Sequence, residues 1–411
     1  MVAMGDGTDP AEHLDESRAP LRTKATLYGL IFVLSLGEGG ARFLAPVYLA
    51  ENGSTVGSIG LSLSAFGVAS LVSRFFIGSI SRASTVRRTI ACSATASAIA
   101  LVVITTTTST AAFTVLIGIH GAGWGVLATV LLTLVISGNK RGKAASVIGF
   151  YVGVEGLGRA GAPALAGLIG GSIGPAGGIR VMTIIFAVAA FIGVVLVRDS
   201  PQRAKSNDAG TSIRMGLGRF RFVPLAAWVA ALTGFYLNTT NAVLNTFFPL
   251  LGISLGFTLS QVGALAGSRS LVSALIRFVA SKAFDRISFR VQLIPLFALN
   301  AISATLIGTV VVYPLQFLLW MPNGASRGVL RVGSMAEATE DSNEDNASST
   351  AALIGAGYDG GRIVGPALGG IVASWIGLSA MFVTMPIFFV SLIVPLALWA
   401  RRGSETKPET A

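Results

Sequence analysis

The chain has 411 residues, of which 52% are hydrophobic and 12% charged, and its mean hydropathy is +0.73. Because soluble domains carry about 25% charged residues, this composition excludes a soluble protein and indicates an integral membrane protein. The formal net charge of +11 does not indicate a nucleic-acid partner, since the basic residues gather in short connections between apolar segments, as membrane orientation requires.

Twelve apolar segments are long enough to cross a bilayer, which takes about 20 mostly apolar residues. We therefore predict an all-α membrane protein with twelve transmembrane helices. The segments cover residues 25–50, 57–80, 89–108, 111–137, 143–170, 179–197, 223–250, 259–283, 291–312, 314–334, 350–374 and 379–400.

The segments form two six-helix bundles, 25–197 and 223–400, which a polar cytoplasmic linker over 198–222 joins. Residues 1–24 are polar and lack the basic-then-apolar order of a cleaved signal peptide, so we interpret them as a cytoplasmic tail, like residues 401–411. Connections that carry lysine or arginine alternate with connections that carry none. Because basic loops stay inside, both termini are expected in the cytoplasm and the protein in the cell membrane.

The second half of the chain repeats the first at a constant offset of 203 positions. The offset extends through many segments, which indicates two copies of one half. The matched positions include glycines and prolines of the fifth and eleventh segments: Gly158 and Gly361, Pro163 and Pro366, and Gly167 and Gly370.

Two sequence patterns accompany the repeat. The first is a set of small residues and prolines, namely Gly149, Gly158, Pro163 and Gly167 in the fifth segment and Gly361, Gly365, Pro366 and Gly370 in the eleventh. The second is a basic loop after the eighth segment, with Asp285, Arg286 and Arg290, whose first copy after the second segment holds Arg82 and Arg87. Arg82 stands where Asp285 stands in the second copy.

Six helices plus six, with the halves repeated in parallel, is an architecture of secondary transporters whose halves move around a midplane site. Together with both patterns, it makes the chain resemble the major facilitator superfamily over essentially its whole length. The fifth-segment pattern is similar to that of the drug/proton antiporters of this family, although alanines replace two glycines. The resemblance implies two pseudo-symmetric bundles and a central cavity lined by the first, fourth, seventh and tenth helices. The acid missing at Arg82 weakens the expectation that this loop latches the halves together.

The glycine and proline positions allow two interpretations. Small residues at helical spacing let helices approach closely in lipid, and proline permits a bend. They serve either gating or plain helix packing.

Ionisable residues inside the segments carry most of the functional information. Each such charge costs roughly 2.5–3.5 kcal/mol at mid-bilayer, so most of them must face protein, water or one another. They are Glu38, Arg42, Arg74, His120, Glu155, Arg159, Arg269, Arg277, Arg327, Arg331, Asp359 and Arg362.

Spacing along a helix suggests partners for the acids. Glu38 and Arg42, and likewise Glu155 and Arg159, are four positions apart, whereas Asp359 and Arg362 are three apart. The last two pairs are interpreted either as structural ion pairs that permit insertion or as functional groups.

Glu38 and Arg42 differ, because the repeat places asparagines at their positions. We expect these two residues to face Asn238, Asn241 and Asn245 across the cavity. Both halves thus have polar residues at these positions, charged in the first half and neutral in the second, which favours a binding surface over a structural pair.

Three further groups allow alternatives. Arg327 and Arg269 have no local acid, which would suit an anionic substrate, unless Asp359 or Glu155 neutralises one of them across the bundle. His120 either titrates near neutral pH or bonds a neighbouring backbone carbonyl. Arg74 and Arg277 lie near helix ends, where arginine can snorkel.

These residues predict a proton-coupled secondary transporter of a small organic solute, with a slight preference for export. Glu38 would exchange the proton, since a carboxylate in a low-dielectric cavity can titrate near physiological pH. An importer or exchanger of organic anions is the alternative, and a non-transporting membrane receptor or scaffold is the alternative of another class. The expected partners are the solute, protons and the lipid bilayer, and the protein is expected to be a monomer.

An enzyme is not predicted, and neither a cofactor nor a metal is expected. The sequence has one cysteine, Cys92, and holds no Ser/His/Asp set or thiol cluster. The run Gly156-x-Gly158-x-x-Gly161 fits a dinucleotide fingerprint, but that motif requires a preceding strand and a soluble βαβ unit.

Overall fold

The computed structural model describes the backbone of residues 10–80, 86–137, 144–196, 223–284, 289–342 and 346–405. Over these ranges the chain is helical apart from short turns, which confirms the predicted all-α class. The linker 198–222 and the loop residues Arg82, Asp285 and Arg286 lie outside the described residues. The helices are α1 (Pro10–Glu51), α2 (Val56–Ile80), α3 (Val86–Ile104), α4 (Thr110–Ser137), α5 (Ala144–Leu196), α6 (Leu225–Ser254), α7 (Leu259–Phe284), α8 (Phe289–Ile307), α9 (Tyr313–Glu340), α10 (Ala347–Ile376) and α11 (Leu378–Glu405).

Helix α5 contains the predicted fifth and sixth segments in one element. The backbone leaves the helical region at Gly174 (φ 78°, ψ 161°), a conformation that glycine tolerates because it has no Cβ. The chain reverses there, since a Cβ added at Gly178 would lie only 3.0 Å from the Cα of Gly170. The predicted loop over 171–178 is therefore wrong, and a single residue makes the turn.

Several other helix ends differ from the hydropathy prediction. Helix α1 begins at Pro10, inside the predicted tail, and α9 continues to Glu340. Helix α3 ends earlier than predicted because the hydroxyl groups of Thr105 and Thr106 donate hydrogen bonds back to the carbonyls of residues 102 and 103 and close a turn. Apolar composition extends past these ends, and local hydrogen bonds decide where each helix stops.

The outer surface of the bundle is apolar. Five stretches of the described helices are long and apolar enough to cross a bilayer by themselves, and all of them lie before residue 197. Two further apolar stretches, Val291–Ile307 and Leu378–Ser391, are shorter within the described residues. Examples of exposed side chains that suit contact with lipid are Ile99, Val115, Phe191, Leu318 and Phe388.

The internal repeat reappears as equivalent contacts in the two halves. In the first half, Ser97 Oγ donates to the His120 carbonyl at 3.3 Å. In the second, Asn300 Nδ2 donates to the Asn323 carbonyl at 3.1 Å. Each residue of the second contact lies 203 positions after its counterpart, so the halves share helix packing as well as sequence.

The two halves touch at one end of the bundle, called the closed end, which bears the turns at 52–55, 105–109, 255–258 and 308–312. Two glycine pairs make the contact: Gly60 of α2 meets Gly370 of α10, and Gly263 of α7 meets Gly167 of α5. A Cβ added at Gly60 or Gly263 would lie 2.9 Å from the Cα of its partner. Ser64 Oγ also donates to the carbonyl of residue 363 at 2.8 Å.

Toward the opposite, open end, α9 and α10 leave a cavity of about 450 Å³. Arg331, Tyr358 and Asp359 line its inner part, and Met335 and Ile354 lie nearer the helix ends. The bundle is thus sealed between its halves at one end and contains space beside buried charges toward the other.

Candidate functional site

Glu38 of α1 is the buried centre of a series of charges between α1 and α5. Its side chain is 0% exposed. Its Oε1 lies 3.0 Å from Arg42 Nη1, and its Oε2 lies 3.6 Å from Arg159 Nε. Arg159 Nη2 in turn lies 2.9 Å from Glu155 Oε1. Each charge in the series Arg42–Glu38–Arg159–Glu155 has an opposite neighbour, which offsets part of the cost of burying it.

Small residues bring α1 and α5 close enough for this contact. A Cβ added at Gly39 would lie 2.9 Å from Ala162 Cβ, and one at Gly158 would lie 3.0 Å from Ser35 Cβ. In lipid such close backbone packing is a main source of helix association. The glycines of α1 and α5 therefore determine how near Arg159 comes to Glu38.

Aromatic rings cover both arginines of the series. Arg42 Cζ lies 4.7 Å from the centre of the Phe66 ring, and Arg159 Cζ lies 5.5 Å from the Trp124 ring. Both arginines are 28% exposed, so each of these cation–π contacts contributes about 1 kcal/mol. Arg42 and Arg159 thus each have an acid partner and an aromatic ring beside them.

His120 is fully buried beside this series. Its ring centre lies 5.3 Å from that of Phe66 and 6.1 Å from that of Phe186. Neither ring nitrogen has a hydrogen-bond partner among the described residues. The alternative that His120 bonds a backbone carbonyl is therefore wrong within this part of the chain, and its role in substrate or proton binding stays a prediction.

Asp359 pairs with the other half of the protein. Its Oδ2 lies 3.8 Å from Arg74 Nη1, which joins α10 to α2. The predicted ion pair between Asp359 and Arg362 is wrong, because α10 packs on α2 and Asp359 faces Arg74 there. Arg74 therefore has an acid partner on the opposite half. Arg362 Nη2 is buried without a hydrogen-bond partner among the described residues.

We expect the Arg74–Asp359 pair to contribute little to stability, because both side chains are about 30% exposed. In a double-mutant cycle with Arg74→Gln and Asp359→Asn, the coupling energy from melting curves should be about 1 kcal/mol or less. A coupling of several kcal/mol would instead identify this pair as a main connection between the halves.

Arg269 of α7 is 1% exposed and has only neutral partners. Its Nε donates to Asn323 Oδ1 at 2.6 Å, and its Nη1 donates to Asn241 Oδ1 at 2.8 Å. Its Cζ lies 6.0 Å from the Trp320 ring. The amide oxygens fix the direction of the guanidinium group without cancelling its charge.

Three further arginines of α7 and α9 lie near Arg269. Arg277 Nη2 and Arg327 Nη1 both donate to the Ser273 hydroxyl, each at 3.5 Å. Arg331 Cζ lies 4.9 Å from the Tyr358 ring. Arg327 repels the other three electrostatically. We call Arg269, Arg277, Arg327 and Arg331 the arginine cluster, and no acid of the described residues forms an ion pair with it.

The asparagines of α6 point to this cluster. Asn238 accepts from Arg327 Nη2 at 3.5 Å and donates to the Tyr358 carbonyl at 2.9 Å. Asn241 holds Arg269, while Asn245 is half-buried and forms no side-chain hydrogen bond with described residues. The expectation that these asparagines face Glu38 and Arg42 is therefore wrong for Asn238 and Asn241, which hold arginines of their own half.

The sequence matches the model of the major facilitator superfamily twice, over residues 27–254 and 230–411. The chain belongs to the major facilitator superfamily. It is therefore a multi-pass membrane protein with the fold of secondary transporters, and not an enzyme. Comparison with curated protein sequences gives no match.

Two solved structures illustrate the shared fold. The nucleoside transporter NupG has a TM-score of 0.76 and 14% identity, covering 94% of this chain and all of the other (100%). A bacterial homologue of the human lysosomal transporter Spinster, in an inward-facing and unoccupied conformation, has a TM-score of 0.77 and 13% identity, covering 98% of this chain and 100% of the other. At these identities the likeness shows the superfamily fold alone.

The glycine pattern of this superfamily member lies at helix contacts. Gly158 packs on α1, Gly361 and Gly365 on α6, and Gly167 and Gly370 on the opposite half. The carbonyl of Pro163 lies against Gly263, and the carbonyl of Pro366 lies against Gly60. Gly149 lies in α5, and Arg87 is exposed at the start of α3. The side chain of Arg290 lies outside the described residues.

Sequence reasoning missed several polar neighbours of the cluster, namely Ser273, Asn300, Asn323 and Tyr358. Two replacements in the repeat were the available signal: Arg269 stands where the first half has Phe66, and Asn323 stands where it has His120. An aromatic contact in the first half has thus become a charged hydrogen bond in the second.

Proposed function

We propose that this superfamily member is a secondary active transporter that moves a small organic anion by alternating access and couples its movement to protons. One observation carries the proposal: the halves touch at the closed end, and toward the open end a cavity between α9 and α10 reaches the charged residues Arg331 and Asp359. A receptor or scaffold does not need groups whose insertion costs roughly 2.5–3.5 kcal/mol each.

The two ends have different proposed orientations. The charge rule assigns the open end to the cytoplasm, and the similarity to an inward-facing Spinster homologue supports that assignment. The described conformation would then be one in which the site communicates with the cytoplasm.

Glu38 is the proposed proton site. A proton on Glu38 removes the charge with which Arg42 pairs, so this guanidinium group becomes available to an anion, whereas Arg159 keeps its ion pair with Glu155. Proton and anion binding then favour each other, and such coupling is reciprocal. Positive coupling favours movement in the same direction, which would produce proton-driven uptake or exchange of the anion.

Export by proton antiport is the second candidate. The glycine and proline pattern of α5, with Gly158, Pro163 and Gly167, supports it through its similarity to the drug/proton antiporters. Export requires that proton and substrate alternate at the site, so each must weaken the binding of the other. The sign of the proton movement therefore separates the two candidates.

We expect proton flux when the full chain, reconstituted in liposomes with an entrapped pH dye, meets small carboxylates and phosphate esters added outside. Acidification of the lumen supports symport, and alkalinisation supports antiport. Protein-free liposomes are the control. Absence of proton movement together with radiolabelled exchange of the same anions rules out the coupling, and absence of both rules out transport of these anions.

A further inference from the structure

The central part of the bundle has a large excess of positive charge. Three acids lie there, Glu38, Glu155 and Asp359. The described residues of the same region include eight arginines: Arg42, Arg74, Arg159, Arg269, Arg277, Arg327, Arg331 and Arg362. Arg269 is the one buried arginine of this set, and a buried charge needs a compensating charge that these side chains do not supply to it.

All three acids are engaged away from the arginine cluster. Glu38 and Glu155 pair with arginines of α1 and α5, and Asp359 pairs with Arg74 of α2. The possibility that Asp359 or Glu155 neutralises Arg269 or Arg327 is therefore not realised. The cluster keeps its four charges within the second half of the protein.

Buried nitrogen atoms of the cluster also lack hydrogen-bond partners among the described residues. They are Arg269 Nη2, Arg277 Nε and Arg327 Nε. Arg269 is almost wholly buried, and amide oxygens already fix two of its nitrogens. Arg269 Nη2 therefore remains as a charged donor that can bind an oxyanion.

The number of charges determines the class of anion. Arg277 and Arg327 converge on one hydroxyl, that of Ser273, while Arg331 lies against Tyr358 at the edge of the 450 Å³ cavity. A single carboxylate would leave most of this charge uncompensated. We propose that the arginine cluster binds a small organic dianion, either a dicarboxylate or a phosphate monoester. This inference rests on the proposed transport function and names its substrate class.

Binding to the purified full chain in detergent tests the proposal separately from transport. The probes are succinate, glycerol phosphate, butyrate and glycerol, titrated by calorimetry and by thermal shift, since a ligand that binds the folded state raises its melting temperature. We expect at least one dianion to bind at least tenfold more tightly than butyrate, and glycerol to show no binding. Preference for succinate or for glycerol phosphate identifies the oxyanion, and either preference supports the proposal.

Arg327→Gln should weaken dianion binding at least tenfold, and Arg88→Gln, at an exposed position of α3, should not change it. Arg331→Gln is the second variant, because Arg331 lines the 450 Å³ cavity and its replacement should disturb helix packing less. Equal binding of butyrate and the dianions, or unchanged binding in both cluster variants, overturns the inference. Tight dianion binding without transport in liposomes would instead contradict the proposed function and leave the binding site standing.

Discussion

Glu38→Gln should abolish accumulation driven by a pH gradient and leave exchange of the anion across the membrane in place. Glutamine keeps the shape of the side chain and one acceptor oxygen, but it cannot release or take up a proton. Exchange needs only that the loaded site reorient, whereas accumulation needs the proton to move with it. Liposomes that contain the reconstituted variant separate the two readouts, and we expect accumulation to fall at least tenfold.

Glu155→Gln is the matched control for this experiment. It removes an acid from the same series, but among the described residues Glu155 forms an ion pair with Arg159 alone and is partly exposed. We expect it to retain accumulation. Because truncating one partner of a buried pair costs about 3–5 kcal/mol, melting curves of both variants have to show folded protein. Full accumulation by folded Glu38→Gln would exclude Glu38 as the proton site.

A Gly60→Ala, Gly263→Ala double substitution should open the closed end. A Cβ at either position meets the backbone of the opposite half, at the carbonyl of Pro366 or of Pro163, and backbone cannot move aside as a flexible side chain can. Overpacking of this kind costs about 1–3 kcal/mol per site. If the strain exists only while the halves touch, the population with a separated closed end should rise about tenfold or more.

Labelling of a cysteine at the contact measures this shift. Ser64 is buried and bonds across the halves, so Ser64→Cys in a Cys92→Ser background should react with a membrane-impermeant thiol reagent only when the closed end opens. The reagent is added from the side predicted to be extracellular. Gly29→Ala and Gly118→Ala are the controls, since a Cβ there has no atom within 4 Å. Unchanged labelling of the double variant would show that these glycines only pack helices.

The superfamily fold follows from short-range information. Hydropathy gives the apolar segments because every spanning segment must satisfy its own backbone hydrogen bonds in lipid. The constant offset gives the duplication, and the equivalent contacts of His120 and Asn323 show it again in three dimensions. Pairs on one helix, such as Glu155 with Arg159, also follow from sequence because they are neighbours on one helical face.

Partners on different helices required the tertiary structure. The sequence by itself determined that Asp359 and Arg362 share a helix, but only the packing of α10 on α2 decided that Asp359 pairs with Arg74. The sequence likewise determined that Asn241 stands at the repeat position of Glu38, whereas the placement of α7 decided that Asn241 accepts a hydrogen bond from Arg269. Local spacing fixes which face a residue occupies, and the energy of a buried charge depends on what another helix presents to that face. For that reason the composition and the repeat established a membrane transporter fold, and the assembled helices decided which of its charges are paired and which lack an acid partner among the described residues.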